Sequence, residues 1–281
     1  MFLYNIFALK YYKMQKILVY TYFSENCYNT VKYAIDLGLA TETPVRILHY
    51  YKSPKSAGML LSIDKRLQDD AVKEMAHLKE RLLGEYPIEK LEPIEAVIGY
   101  GDTIKSIKKS MKRNKADILI VSAKEEYDSA DLFLGSVSGK LIRQTNIPVL
   151  IIPSKARFET IKGVLLAVKN LKATKRSMLR PLKKLLELSE ADLSVLTFLK
   201  KDKVKKSDIG ESIKKLKPIS VNNAQGENVY DDTIKYLEDN KFDILAVIRK
   251  NKGFFNNFLN STVIKKKKFK INFPLLVLQE K

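Results

Sequence analysis

The chain has 281 residues, of which 45% are hydrophobic and 30% charged, with 11 glycines and 9 prolines. This composition is that of a globular protein, and the length is enough for two domains with full hydrophobic cores. The one cysteine, Cys27, excludes an internal disulfide and a cysteine-rich metal site. It fits a reducing compartment, so a cytoplasmic location is expected.

The formal net charge is +19, and two explanations fit it. One is a surface for an acidic partner such as nucleic acid, membrane headgroups or nucleotides. The other is genome composition, because the lysines are spread along the whole chain beside many Asn, Ile, Tyr and Phe residues, which share A/T-rich codons. We favour the second explanation. The densest basic run, residues 265–270, is then predicted to be a solvated helix face, and no specific nucleic-acid partner is expected.

The first 13 residues, "MFLYNIFALKYYK", are apolar but shorter than the ~20 residues that a membrane span needs. They lack the basic leading region and small-residue cleavage site of a signal peptide. Met14 directly precedes a strand-like segment. We therefore predict an N-terminal tail at residues 1–15, with translation from Met14 as an alternative, and no membrane span.

The predicted elements of the first half alternate between apolar strands and amphipathic helices. Ser24 is expected to cap the first helix, and Glu25 lies in its first turn. In chain order, strands are predicted at residues 16–23, 44–51, 94–99, 116–123 and 148–153, with helices at 24–40, 71–83 and 101–114 and one more before the last strand.

The second half repeats this order, with the segment between its second and third strands shortened. Two pairs of segments fix the register, "ADILIVSA" with "FDILAVIR" and "NIPVLII" with "NFPLLVL". Strands joined by helices favour parallel pairing with helices on both faces of the sheet. The sequence therefore predicts an α/β protein of two tandem doubly wound parallel-sheet domains, at residues 16–154 and 155–281. The strands of the second are predicted at residues 161–169, 192–199, 218–223, 242–249 and 273–278, and its helices at 177–189 and 229–240.

Four segments carry a resemblance to a known family: "KILVYTYFSEN", "RILHYY", "ADILIV" and "LFLGSVSGKLIRQTNIPVLIIP". In these the chain resembles the universal stress proteins in their tandem form, and the resemblance extends from Lys16 to Leu278. It implies Rossmann-like domains of the adenine nucleotide alpha hydrolase-like class and a non-enzymatic role in stress response or signalling. Many members of that family bind ATP, whereas others lack the site.

The nucleotide-binding members carry a signature after the fourth strand: Gly, two residues, Gly, nine residues, then Gly and Ser or Thr. Counted back from Gly135-Ser136, the first two glycines fall at positions that Ser122 and Glu125 occupy here. The Asp that ends the first strand in the family, where it faces the nucleoside, is replaced by Tyr22. Most of the nucleotide-binding positions are therefore altered.

A glycine-rich helix start binds phosphate because glycine lets oxygen atoms approach the backbone and the first N–H groups are unpaired. Gly135, Ser136 and Val137 keep this feature, although a small residue at a helix start also serves packing alone. Glu125 would repel a triphosphate. The resemblance thus implies a vestigial or weak nucleotide or anion site at Tyr22 and residues 135–137, with no cofactor. The alternative is a sensor that still binds ATP, AMP or another small ligand there.

The second half keeps less of the signature. Lys169 takes the position of the Asp, Val247 that of the first glycine, and Asn260-Ser261 that of Gly-Ser. No signature glycine remains in this half, so the family's route to nucleotide binding is not expected there.

The two final strands, residues 148–153 and 273–278, are apolar and lie at sheet edges, where unpaired backbone groups invite pairing. In separate-chain relatives this strand forms the dimer contact, so the resemblance implies that the two halves pair antiparallel within one molecule as a pseudo-dimer. A homodimer and an unidentified signalling partner stay open.

Other chemistry has little support in the sequence. His49 is expected to be partly buried on a strand and His77 to be a solvated helix residue, and neither has a companion at metal-ligand spacing. No P-loop and no G-x-S-x-G motif occurs, so neither a metal site nor an enzyme is predicted. Tyrosines cluster at strand ends, where they either cap the sheet or wall a cavity for a flat ligand: Tyr11, Tyr12, Tyr20, Tyr22, Tyr50 and Tyr51.

Overall fold

The computed structural model describes residues 14–52, 60–124, 135–169, 171–199, 204–224, 229–249 and 272–279. Three positions discussed above, Glu125, Asn260 and Ser261, lie outside these residues, as does the basic run 265–270. Among the described residues, no helix combines the length and the apolar character that a membrane crossing requires.

The first half contains five strands and five helices within the described residues. Helix α1 begins after Ser24, whose side chain accepts a hydrogen bond from the Cys27 N–H, as the sequence predicts. Helix α2 begins at Leu60, earlier than the predicted start at residue 71. The elements are β1 (Ile17–Tyr20), α1 (Glu25–Ala40), β2 (Val45–Tyr51), α2 (Leu60–Leu83), α3 (Ile88–Leu91), β3 (Glu95–Tyr100), α4 (Thr103–Arg113), β4 (Ile118–Ser122), α5 (Ser136–Gln144) and β5 (Val149–Ile152).

The second half has the same strand order. Two elements that the sequence did not reveal lie between its second and third strands, a single 3-10 turn (Lys206–Asp208) and a one-turn helix, both too short for an apolar periodicity. The elements are β6 (Gly163–Ala167), α6 (Arg176–Ser189), β7 (Asp192–Thr197), α7 (Glu211–Lys214), β8 (Ser220–Asn223), α8 (Val229–Asp239), β9 (Ile244–Arg249) and β10 (Leu275–Gln279).

All ten strands form one sheet, in the order β3-β2-β1-β4-β5-β10-β9-β6-β7-β8. Within each half every pairing is parallel. The two halves are joined by one antiparallel pairing, in which Val149 lies opposite Val277 and Ile151 opposite Leu275. The antiparallel contact between the final strands is therefore confirmed. The division into domains at residues 154 and 155 stays a prediction.

The hydrophobic core forms two layers, one on each face of the sheet, and both layers run across the junction. Alternate strand residues face opposite layers, as Val19 and Leu18 do in β1. Helices α1, α2 and α6 cover one face and helices α4, α5 and α8 the other. Met14 is buried in the first layer and the Gln15 N–H bonds Asp117, so these two residues pack with the first half.

A buried ion pair crosses between the halves. Lys184 of α6 places its Nζ 2.7 and 2.8 Å from the carboxylate oxygens of Asp117, which directly precedes β4. Their side chains are 6% and 10% exposed. Asp117 also accepts the Gln15 N–H at 2.7 Å, so the carboxylate is well satisfied.

The position of α1 that corresponds to Lys184 of α6 carries a different side chain. Lys184 is the ninth residue of α6, and Tyr33 is the ninth residue of α1. Tyr33 is buried beside Phe158, and burial, with a smaller contribution from the Asp243 carboxylate, raises the pKa of its hydroxyl. Asp243 precedes β9 as Asp117 precedes β4, so each carboxylate is approached from the opposite half.

The first prediction concerns the antiparallel junction. Val149→Lys or Val277→Lys should lower the free energy of unfolding by about 3 kcal/mol or more, because each places a charge in a dry, paired position. Urea denaturation measures the loss, and proteolysis within residues 154–160 should become faster. Val72→Lys on α2 is the matched control, since Val72 is 50% exposed. Equal stability of all three variants would contradict the role of the junction.

The second prediction concerns the buried ion pair. Lys184→Met should cost about 3 kcal/mol of unfolding free energy, because it leaves the Asp117 carboxylate buried without its cation. Lys183→Met on the same helix should cost about 0.5 kcal/mol or less, because Lys183 pairs with Glu187 at a more exposed site. Chemical denaturation of the two variants side by side tests this, and similar losses would show that Lys184 acts only as a packed side chain.

Candidate functional site

The candidate site lies where the strand order reverses in the first half. Strands β1 and β4 are neighbours, and the helices that follow them, α1 and α5, begin at the carboxyl edge of the sheet. In doubly wound sheets a crevice opens at this point, and ligands bind in it. The loop after β1 and the start of α5 are therefore the elements that define the site.

The loop after β1 is held in a fixed turn. Phe23 has a left-handed φ of 67°, and its N–H donates to the Thr21 hydroxyl at 3.0 Å. Ser24 then caps α1. Tyr22, which directly precedes Phe23, is 50% exposed. The residue at the position of the family's Asp therefore presents a phenol ring to solvent.

A chain of contacts joins this loop to β4 and to α5. The Tyr22 N–H donates to Cys27 Sγ at 3.5 Å, and Cys27 Sγ lies 3.4 Å from Ser122 Oγ. The Ser138 hydroxyl donates to the Ser122 carbonyl at 3.1 Å. The structure therefore brings Tyr22, Ser122 and the first turn of α5 together.

Cys27 and Ser138 are contributors that the sequence analysis missed. Both are buried, and between them they hold Ser122 in place. At the first-glycine position of the signature, the Ser122 side chain points towards α1. No short motif marks these contacts, because Cys27 and Ser122 are 95 positions apart in the chain.

The start of α5 keeps an open backbone. Gly135 has φ 67° and ψ 171°, a combination that is essentially restricted to glycine. A Cβ atom built there would have no neighbour within 4 Å among the residues that the structure describes, so these leave the space in front of it free. No side chain in the described part of the chain caps the helix. Since Ser136 and Val137 are the first two residues of the helix, their N–H groups have no partner within it.

The glycine at position 135 thus has a conformational explanation that does not require a ligand. Its positive φ would strain any other residue, whatever the space in front of it. The free space and the uncapped helix end nevertheless form the geometry that binds an anion. The start of α5 therefore offers backbone donors to an anion, whereas the side chains at positions 22 and 122 differ from those of the signature.

Aromatic rings pack behind the loop. His49 on β2 is half-buried, its Nδ1–H donates to the Thr21 carbonyl at 2.9 Å, and its ring lies 4.5 Å from that of Phe23 and 6.5 Å from that of Tyr20. Burial lowers the pKa of His49, against the smaller effect of its hydrogen bond. His49 is therefore a partly buried, satisfied strand residue, as predicted, and His77 is exposed on α2.

The tyrosines at the strand ends divide into buried and exposed groups. Tyr20 and Tyr50 are buried, and the Tyr50 hydroxyl is 2.6 Å from Ser110 Oγ. Burial raises the pKa of Tyr20, and a hydrogen bond with Thr103 partly offsets this. Tyr51 packs edge-on against the exposed Tyr100, with ring centroids 5.7 Å apart. The buried pair packs within the core, and Tyr11 and Tyr12 lie outside the described residues.

The carboxyl edge of the second half differs. Lys169 is exposed after β6, and Val247 is buried in β9. At the end of β9, Arg249 donates to the Gln279 side chain at 3.1 Å and to the carbonyl of Arg143, in α5, at 2.9 Å. A cation of the second half therefore binds the carboxyl end of α5. Across the described parts of both halves, no group of three or more His, Cys, Asp or Glu side chains is placed to hold a metal ion.

The third prediction follows from His49. Its folded pKa lies below the unfolded value, so the unfolded chain binds a proton more readily as the pH falls through about 6.5. As the pH falls from about 7.5 to 5.5, His49 should therefore lower the free energy of unfolding progressively. His49→Gln should remove that part of the pH dependence. Urea titrations across this range measure it. His77→Gln is the control and should keep the slope, and an unchanged slope in His49→Gln would contradict the assignment.

Comparison with known proteins gives a family and a fold. A model of the universal stress protein family matches residues 13–153. A universal stress protein from Archaeoglobus fulgidus has a similar structure, with a TM-score of 0.61 and 16% identity over 96% of this chain and 97% of that one. A putative universal stress protein from Pseudomonas aeruginosa gives a TM-score of 0.53 and 13% identity, over 95% and 94% of the two chains.

The same arrangement occurs beyond this family. The cytoplasmic domain of a prokaryotic cation chloride cotransporter gives a TM-score of 0.50 at 11% identity, over 95% of this chain and 96% of that one. No curated protein matches. These structural likenesses cover both halves but, at such identities, concern the fold alone. The family model covers half of the chain and includes β1 to β5, so the chain belongs to the universal stress protein family.

Proposed function

We propose that this stress-response protein is non-enzymatic and cytoplasmic, that its nucleotide site is degenerate, and that its two halves serve each other as the subunits of a dimer would. The observation that carries the proposal is the exposed phenol of Tyr22, whose backbone N–H is linked through Cys27 to Ser122. A carboxylate at position 22 could accept two hydroxyl groups of a ribose, whereas a phenol offers one oxygen at the end of a rigid ring.

The energetics support the same proposal. Each N–H or helix-end contact at Gly135, Ser136 and Val137 is worth only ~0.3–1 kcal/mol near the surface. Micromolar binding requires about −8 kcal/mol in total. The backbone alone therefore supplies too little, and the side chains at positions 22 and 122 do not replace what the family's Asp and glycine contribute.

A small-ligand sensor is the second candidate, and the free space in front of Gly135 favours it. A ligand with a single anionic group would need only the uncapped start of α5. ATP, AMP or another small anion would then bind weakly at Gly135, Ser136 and Val137, with the exposed Tyr22 ring beside it.

The antiparallel junction supports the role of the two halves. It pairs Leu275, Leu276 and Val277 with the final strand of the first half, so the apolar edges of both halves are used within one chain. Any homodimer, or a contact with a signalling partner, would use another surface.

The fourth prediction tests the degenerate site. Calorimetric titration with ATP and magnesium should give a Kd no tighter than about 1 mM for the unaltered protein. A variant with Tyr22→Asp, Ser122→Gly and Glu125→Gly should gain measurable affinity, because it restores the carboxylate and both glycines and removes a repelling charge.

The matched control keeps the two glycine substitutions and places the third at Tyr100→Asp, because Tyr100 is 58% exposed against 50% for Tyr22 but lies beyond the site. It should gain less than the first variant. A micromolar Kd for the unaltered protein would make the sensor the correct function. No gain in the first variant would show that the site is lost for another reason.

A further inference from the structure

A basic groove lies on the outer surface of the second half, between α6 and α7. Its volume is about 790 Å³, within the range of small-molecule sites. One face of α6 supplies most of the lining, and the residues around α7 supply the rest. Its charged lining residues are Arg176, Arg180, Lys183, Lys184, Glu187 and Lys215.

Two of the five cations in this groove are neutralised. Lys184, at the inner side, binds the Asp117 carboxylate of the first half. Lys183 pairs with Glu187 at 2.9 Å. Glu187 is the one anion among the described lining residues, and its charge is already matched.

Arg176, Arg180 and Lys215 are exposed and supply the remaining charge. Within the described residues, neither arginine forms an ion pair, and Lys215 faces only Glu211, which is itself paired with Lys214 at 2.8 Å. The groove therefore presents an excess of three positive charges, two of which are guanidinium groups one helical turn apart. Such forked donors match phosphate oxygens better than ammonium groups do.

Arg176 and Arg180 lie at the start of α6, where the helix dipole makes a positive charge unfavourable. The start of a helix carries partial positive charge, so cations there are unfavourable, and like charges four residues apart repel each other. Helix α6 has Arg176 as its first residue, no acidic residue in its first turn and no side-chain cap. Nothing within the described protein offsets this arrangement.

The equivalent helix of the first half follows the usual rule. Helix α1 starts with Glu25, is capped by Ser24, and has Asn29 where α6 has Arg180. Both helices follow the first strand of their half, but α1 begins with an acidic residue and α6 with a basic one. A site that breaks a local rule without compensation inside the fold is a candidate for binding.

We propose that this groove binds a small molecule that carries two or more phosphate groups. The uncapped helix start and the hydroxyl groups of Ser177 and Ser212 in the lining add hydrogen-bond donors suited to phosphate. From Arg176 to Arg180 the helix rises about 6 Å, which two or three linked phosphates span and a single phosphate does not. The groove shares no residue with the crevice at Tyr22 and Gly135.

The experiment is a calorimetric titration with tripolyphosphate at about 50 mM ionic strength, where surface charges are only partly screened. We expect a Kd of about 100 µM or tighter. Inorganic phosphate and citrate, a carboxylate anion, should each bind at least about tenfold more weakly, because one lacks the length and the other the tetrahedral oxygens.

The test variant is Arg176→Gln with Arg180→Gln, and it should weaken tripolyphosphate binding at least about tenfold. The matched control is Arg66→Gln with Arg113→Gln, which removes the same charge from exposed positions on α2 and α4 and should change the Kd by less than about twofold. Without ligand, the test variant should melt at the same or a higher temperature, because it relieves the repulsion at the start of α6.

Equal loss of affinity in both variants would overturn the proposal, because binding would then follow net charge alone. The absence of binding tighter than about 1 mM in the unaltered protein would also overturn it. A 20-base-pair DNA duplex that binds more tightly than tripolyphosphate and loses affinity only in the test variant would replace the small molecule with a nucleic-acid backbone.

Discussion

The antiparallel hydrogen bonds between β5 and β10 are the constraint on which the rest of the structure depends. They turn two parallel sheets into one sheet of ten strands and continue both core layers across the junction. The same geometry brings α6 against the first half, so that Lys184 reaches Asp117. Without this pairing, each half would expose an apolar strand edge. Lys184 and Asp117, which lie on different halves, would no longer be held together as a buried ion pair.

Much of this architecture was predictable from the sequence. Fully buried strands are continuous apolar runs, so the order of strands and the two final strands could be read directly. The short helix α7 could not, because a single turn leaves no periodic pattern. Lys184 was equally hidden, since its partner Asp117 is 67 positions away.

The candidate site shows the same division. The family's signature, counted back from Gly135, located Ser122, and the resemblance to the family placed Tyr22 at the position of its Asp. Spacing did not identify Cys27 as the residue between them, since this depends on how α1 packs against β4. The reason for the glycine also required coordinates: the combination of φ 67° and ψ 171° demands glycine at position 135 whether or not an anion binds.

The single chain has a consequence for how its two sides can change. In a dimer of identical subunits, a mutation at one interface position appears in both subunits. Each substitution must therefore be compatible with both symmetric contacts at once. Here Lys184 and Tyr33 occupy corresponding places beside Asp117 and Asp243. One position holds a cation in an ion pair, and the other holds a buried phenol. Covalent linkage thus frees the two sides to evolve separately, which allows one half to keep a structural role while the other acquires new surface chemistry.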